Sequence, residues 1–279
     1  MLKRTITGAL YVLFIAGFFL LREVDHRLFA LMIYLFAIVG TFEITRALKP
    51  YLINGNYNTQ ITFGVGLVPM YCVFEYIIER HSGGSVIAIA LLLALGFGIA
   101  CKVQKKNNDI VAANMLGYFY PVIPLVALLS CNDLAGSNYS EGFIALLLCF
   151  VCSSLSDTFA YFVGSFFGGK KLCPKLSPKK TWSGAIGGVI GGIVGAILVL
   201  AIFGGRVHLG VDNKWLFFIV IGAISSVLTI LGDLFESSIK RKVGIKDMGN
   251  ILPGHGGILD RIDGISFVAL FIYVVFLFV

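Results

Sequence analysis

The chain has 279 residues, 58% of them hydrophobic and 13% charged, with a mean hydropathy of +0.92 and a formal net charge of +7. These values exclude a water-soluble globular domain and define an all-α polytopic integral membrane protein. A basic balance confined to short loops suits membrane lipids, nucleotides or plain topology marking, and nucleic acid is not expected as a partner.

A helix needs about 20 apolar residues to cross a hydrocarbon layer of about 30 Å, because its backbone must satisfy its own hydrogen bonds there. Nine such runs stand at 6–21, 28–48, 61–79, 86–101, 110–130, 142–166, 184–204, 214–235 and 264–279. The first follows Lys3 and Arg4 and could be a signal peptide, but no small-x-small cleavage site precedes Arg22, so a retained span is expected. Alternate connections, starting with the N-terminus, carry 17 of the 22 lysines and arginines. Basic residues accumulate on the cytoplasmic side, which places the N-terminus and those loops there and, after an odd number of spans, the C-terminus opposite.

No linker or low-complexity tail divides the chain, so residues 1–279 read as one membrane domain, with 1–145 mainly scaffold and 153–264 holding the chemistry at the cytoplasmic face. Cys149 and Cys152 form a C-x-x-C inside an apolar run without a second ligand pair, which fits small buried residues better than a zinc site.

From residue 153 onward polar groups gather. Asp157 lies inside the sixth span, where a carboxylate needs a cavity or a cation, with Ser153 and Tyr161 one turn away on the same face. An ion pair with a neighbouring helix is the structural alternative. In the next loop Pro174 and Pro178 oppose helix and leave Ser177, Lys179, Lys180 and Thr181 just ahead of a helix start, a setting suited to phosphate oxygens but also to ordinary positive-inside bias. The seventh span then carries glycines at 184, 188, 192 and at 187, 191, 195, two stripes that let helices approach closely, either within the subunit or across a homodimer.

Asp233 and Glu236 lie three apart at the end of the eighth span, and Asp260 and Asp263 repeat that spacing before the ninth. Carboxylates entering from two helix ends can converge on a hard cation such as magnesium, which completes its shell with water and phosphate. Zinc fits badly because His255 has no partner His or Cys nearby. Lys240, Arg241, Lys246 and Arg261 could bind phosphate beside the metal, while a purely structural ion-pair network would use the same residues.

The run S-x-x-K-R-x4-K-D-x-G-x2-L-P-G-H-G-G-x-L-D-R-x-D, from Ser237 to Asp263, closely resembles the signature of the phosphatidate cytidylyltransferases, or CDP-diacylglycerol synthases. D-x-x-A-Y at 157–161 and S-P-K-K-T-W at 177–182 resemble the other motifs of that family. The resemblance implies transfer of CMP from CTP to phosphatidic acid, releasing pyrophosphate, with Mg2+ required, as one cation or more. On that basis Asp233, Asp260 and Asp263 are expected as metal ligands, with Asp157, Glu236 and Asp247 as further ligands or supporting groups. Ser177, Lys179, Lys180, Lys240, Arg241, Lys246 and Arg261 are expected to hold phosphate, Tyr161 to line the substrate site, and His255 to orient a phosphate or cap a helix. Two positions depart from the family pattern: Ser183 replaces an acidic residue and Gly264 replaces a serine. The competing readings are a CTP-dependent enzyme acting on another lipid phosphate and an ion-coupled transporter. The membrane is expected to be a bacterial inner membrane, with the site facing the cytoplasm.

Overall fold

Hydropathy is converted into helix along most of the described chain. A computed structural model describes residues 2–52, 56–77, 107–134, 140–206, 209–254 and 256–279. Its helices are α1 Leu2–Val24, α2 Phe29–Leu48, α3 Asn56–Cys72, α4 Asn108–Phe119, α5 Val122–Asn132, α6 Ser140–Phe167, α7 Trp182–Phe203, α8 Lys214–Val243 and α9 Leu259–Phe276. Between α6 and α7 stands the one sheet among the described residues, an antiparallel hairpin of β1 Lys171–Cys173 and β2 Ser177–Thr181.

Among the described residues six stretches are long and apolar enough to cross a membrane: Thr5–Val24, His26–Tyr51, Asn108–Asn132, Ser140–Phe167, Trp182–Phe203 and Lys214–Val243. The protein is therefore an all-α polytopic membrane protein, but nine spans are not reached among the described residues. The expected span at 86–101 lies outside them, and α3 and α9 stand where the third and ninth were expected with only 17 and 18 residues. The run at 110–130 is two helices. Tyr120 adopts extended backbone (φ −100°, ψ 130°) before Pro121, because a proline clashes with an α-helical predecessor and offers no N–H.

The chain forms two compact units, Met1–Ser130 with Val243–Arg261, and Cys131–Lys242 with Ile262–Val279. In the first, α2 is the central helix, burying Phe29, Met32, Ile33, Phe36 and Ile44. Phe19 of α1 meets Phe29 edge-on at 5.6 Å. Between α3 and α4 the buried Gln60 donates to Asn114 Oδ1 at 3.4 Å, a polar lock that suits an apolar setting.

In the second unit the glycine stripes of α7 pack inside the chain. Gly187 lies against Val163, and a methyl group at Gly191 would stand 2.5 Å from the Leu155 carbonyl oxygen, both on α6. Gly192 turns toward Ser226 and Gly222 of α8. Lipid tails are as apolar as leucine, so helices join here by close van der Waals contact, which missing side chains permit. Ser153 of α6 and Thr229 of α8 share a hydrogen bond at 3.0 Å. Cys149 and Cys152 are buried free thiols, in keeping with the sequence reading.

Candidate functional site

The polar stripe of α6 runs from core to opening: Ser153 is buried, Asp157 and Tyr161 line a cavity, and Tyr161 is 70% exposed. After Phe167 the chain leaves the helix through Gly168 and Gly169, whose φ values of 59° and 105° favour glycine. It then enters the hairpin, which pairs Lys171 with Thr181 and Cys173 with Ser177. Thr181 caps α7 by accepting from the Gly184 N–H at 3.1 Å. Ser183 bonds the Thr181 hydroxyl at 3.0 Å and also donates to the Gly168 carbonyl, so this departure from the family pattern ties the two ends of the hairpin together.

β2 aims Lys180 at α8, where its Nζ lies 2.6 Å from Asp233 Oδ2. Asp233 also accepts from the Ser237 hydroxyl at 3.2 Å. Asp263 is held at the start of α9, its Oδ1 accepting the Gly264 N–H at 2.8 Å. It feels the charges of Asp233, Asp157 and Lys240. The second departure from the family pattern has its own reason: a side chain at Gly264 would collide with Thr229 Cγ2 at 2.7 Å, so glycine lets α8 and α9 cross closely. Asp157, Tyr161, Lys179, Lys180, Gly184 and Asp233 are among the residues lining a cavity of about 560 Å³. This juxtaposes carboxylates, lysines and a helix N-terminus, groups that together handle anionic oxygens and cations.

Several expected residues are placed elsewhere. Glu236 does not share the cavity with Asp233; it is fully buried and meets Lys240 Nζ at 3.2 Å, one turn along the same helix. Arg241 donates from Nε to the Leu176 carbonyl at 3.3 Å, fastening α8 to the hairpin turn. Ser177 lies in β2, paired with Cys173.

Asp260, Arg261, Lys246 and Asp247 belong to the first unit. Asp260 Oδ2 accepts the N–H groups of Met248 and Gly257, both at 2.8 Å, and so ties the segment before α9 into a closed loop. Leu252 N–H closes it further on the Gly256 carbonyl at 2.9 Å. Lys246, Asp247 and Arg261 line a cavity of about 530 Å³ there. His255 lies outside the described residues.

Glu43 of α2 is a residue that sequence reasoning missed. It is 3% exposed and accepts the N–H groups of Ile258 at 3.2 Å and Leu259 at 3.0 Å. A lone acid in an apolar run was the available signal.

Among the described residues no three His, Cys, Asp or Glu side chains form a ready metal cluster. The donor chemistry nonetheless fits magnesium, which takes one or two carboxylates and fills its shell with water and phosphate. A cation is accommodated beside Asp233 already, in the form of the Lys180 ammonium.

The fold defines an all-α polytopic membrane protein, and its second unit holds a cavity lined by carboxylates and lysines at the start of α7. The chain belongs to the cytidylyltransferase family, whose profile matches residues 2–279. It is 30% identical to the phosphatidate cytidylyltransferase of Helicobacter pylori, over 99% of this chain and 92% of that one. With the phosphatidate cytidylyltransferase of Bacillus subtilis it shares 34% identity over 98% of this chain and 96% of the relative. The Rickettsia conorii enzyme of the same name is 31% identical over 82% of this chain and 97% of its own length.

Proposed function

We propose that the protein transfers the cytidylyl group of CTP to phosphatidic acid, giving CDP-diacylglycerol and pyrophosphate in phospholipid biosynthesis. The family assignment supports this, and it displaces the transporter reading. Among structural features, the meeting of Lys180 with Asp233 in a cavity shared with Asp157 and the α7 N-terminus supports it most.

Both substrates are phosphate anions, so their repulsion has to be cancelled before they react. A lipid phosphate oxygen attacks the α-phosphorus of CTP, a new P–O bond forms, and the α–β bridge breaks to release pyrophosphate. Lys179 and Lys180 would draw phosphate oxygens into the cavity and stabilise charge growing on the leaving group. The N–H groups at the start of α7 would add oriented dipoles. Asp233 and Asp263, with Asp157 beside them, are the residues that would hold magnesium, and the bound ion would supply charge neutralisation and orient phosphate oxygens. Lys246 and Arg261 are read as further phosphate-binding groups in the loop. No strong general base is required, because the lipid phosphate is already largely ionised near neutral pH.

We read the site as facing the cytoplasm from a bacterial inner membrane, a reading that the loop charges and the bacterial relatives support. The test uses purified protein in detergent with labelled CTP, magnesium and a series of lipid phosphates, following label into lipid. Labelled CDP-diacylglycerol formed preferentially from phosphatidate is the expected product. A preference for a polyprenyl phosphate would change the acceptor, and no labelled lipid from any phosphate would overturn the enzyme reading.

A further inference from the structure

A carboxylate buried in an apolar helix is unfavourable unless its oxygens are hydrogen-bonded. Glu43 meets that requirement with the backbone of the signature segment, accepting from Ile258 and Leu259 through separate oxygens at 3.2 and 3.0 Å. The surroundings are shaped for this contact. Gly249 and Gly257 both lie against the Glu43 carboxylate, where any side chain would collide with it. One turn earlier on α2, Gly40 leaves room for Leu259, whose side chain a methyl group would meet at 3.1 Å. Leu259 is fully buried in consequence.

Gly257 sits between two acids. Its N–H goes to Asp260 Oδ2 at 2.8 Å while its Cα faces Glu43. The two carboxylates therefore fix consecutive peptide units of the loop that carries Lys246, Asp247 and Arg261 around its cavity.

We propose that Glu43 is a positioning residue for cytidylyl transfer: it clamps the backbone at 257–259 so that the basic groups of the signature loop meet phosphate in one fixed geometry. The proposal rests on the phosphate-handling reading of that loop. Displacement of binding groups by about 1 Å can lower a rate about 100-fold, so a clamp that touches no substrate can still govern turnover.

The experiment compares wild type, Glu43→Gln, Glu43→Ala and Ile44→Ala in detergent. Ile44 is a fully buried apolar neighbour on α2, so its variant reports plain loss of packing. Amide hydrogen exchange at Ile258 and Leu259 and steady-state kinetics with CTP and phosphatidate are measured on each. Glu43→Gln keeps one acceptor oxygen and is expected to speed exchange at both amides and lower kcat about tenfold. Glu43→Ala is expected to lower kcat about 100-fold, with Ile44→Ala showing a reduced unfolding temperature at unchanged kcat. Wild-type turnover in both Glu43 variants would overturn the proposal, as would equal kcat losses in Ile44→Ala. Should Glu43→Ala fail to accumulate, the glutamine variant decides alone. If the wild type forms no labelled lipid, the functional reading fails on its own, and unchanged protection of the two amides in Glu43→Gln would separately remove the clamp.

Discussion

Gly232 and Gly264 face each other where α8 and α9 cross: a methyl group on Gly232 would stand 3.1 Å from the Gly264 Cα and 2.5 Å from the Asp263 carbonyl oxygen. The residues that follow and precede them, Asp233 and Asp263, are thereby brought into each other's field. Gly232→Ala is expected to force the helices apart, at a stability cost of about 1–3 kcal/mol from overpacking. Thermal unfolding in detergent and the labelled-lipid assay should both decline, the latter at least tenfold. Wild-type values in both would show that the crossing does not set the spacing of the acids.

Lys180 reaches Asp233 from a hairpin, and both side chains retain some solvent exposure. A pair of this kind stabilises a fold by no more than about 1 kcal/mol. Lys180→Met is therefore expected to leave the unfolding temperature nearly unchanged while lowering kcat/KM for CTP by about 100-fold or more, the usual scale for losing one transition-state donor. Lys180→Arg should recover part of the loss, since charge is kept but the planar fork differs from an ammonium. A large drop in stability without a kinetic effect would reassign the lysine to the scaffold.

Asp260→Asn puts an amide where one oxygen accepts two N–H groups. Hydrogen bonds to charged acceptors contribute about 1.5–3 kcal/mol. Faster exchange at Met248 and Gly257 is expected, with turnover reduced by about two orders of magnitude and membrane insertion retained. Near-normal turnover would refute a role for Asp260 at the site.

Asp263→Asn removes a charge from the carboxylate group proposed to receive magnesium. The expected outcome is a higher magnesium concentration for half-maximal activity and, in wild type, loss of activity with a chelator and recovery on adding magnesium back. A magnesium dependence identical in the variant would exclude Asp263 as a ligand.

Hydropathy located most helices well because burial in lipid rewards one pattern, an unbroken apolar run. It failed at Pro121, where a local steric rule splits a continuous run, and it did not foresee the hairpin at 171–181, since three- and five-residue strands leave too little alternation to notice. The two carboxylate pairs show a subtler limit. Spacing of three suggested common faces, yet Glu236 is drawn to Lys240 and buried, while Asp260, near the N-terminus of α9, turns back to loop amides. Helical periodicity fixes direction only within an element, and the choice among partners is tertiary. The partners of Glu43 were illegible for the same reason: they lie 215 and 216 positions downstream.

That separation bears on biosynthesis. The amides of Ile258 and Leu259 emerge from the ribosome 215 and 216 residues after Glu43, so until then the acid resides in its apolar helix without the glycine-lined loop around it. A polypeptide terminated before residue 258 would lack both donor partners permanently, leaving a carboxylate in an apolar helix without the hydrogen bonds that offset its burial.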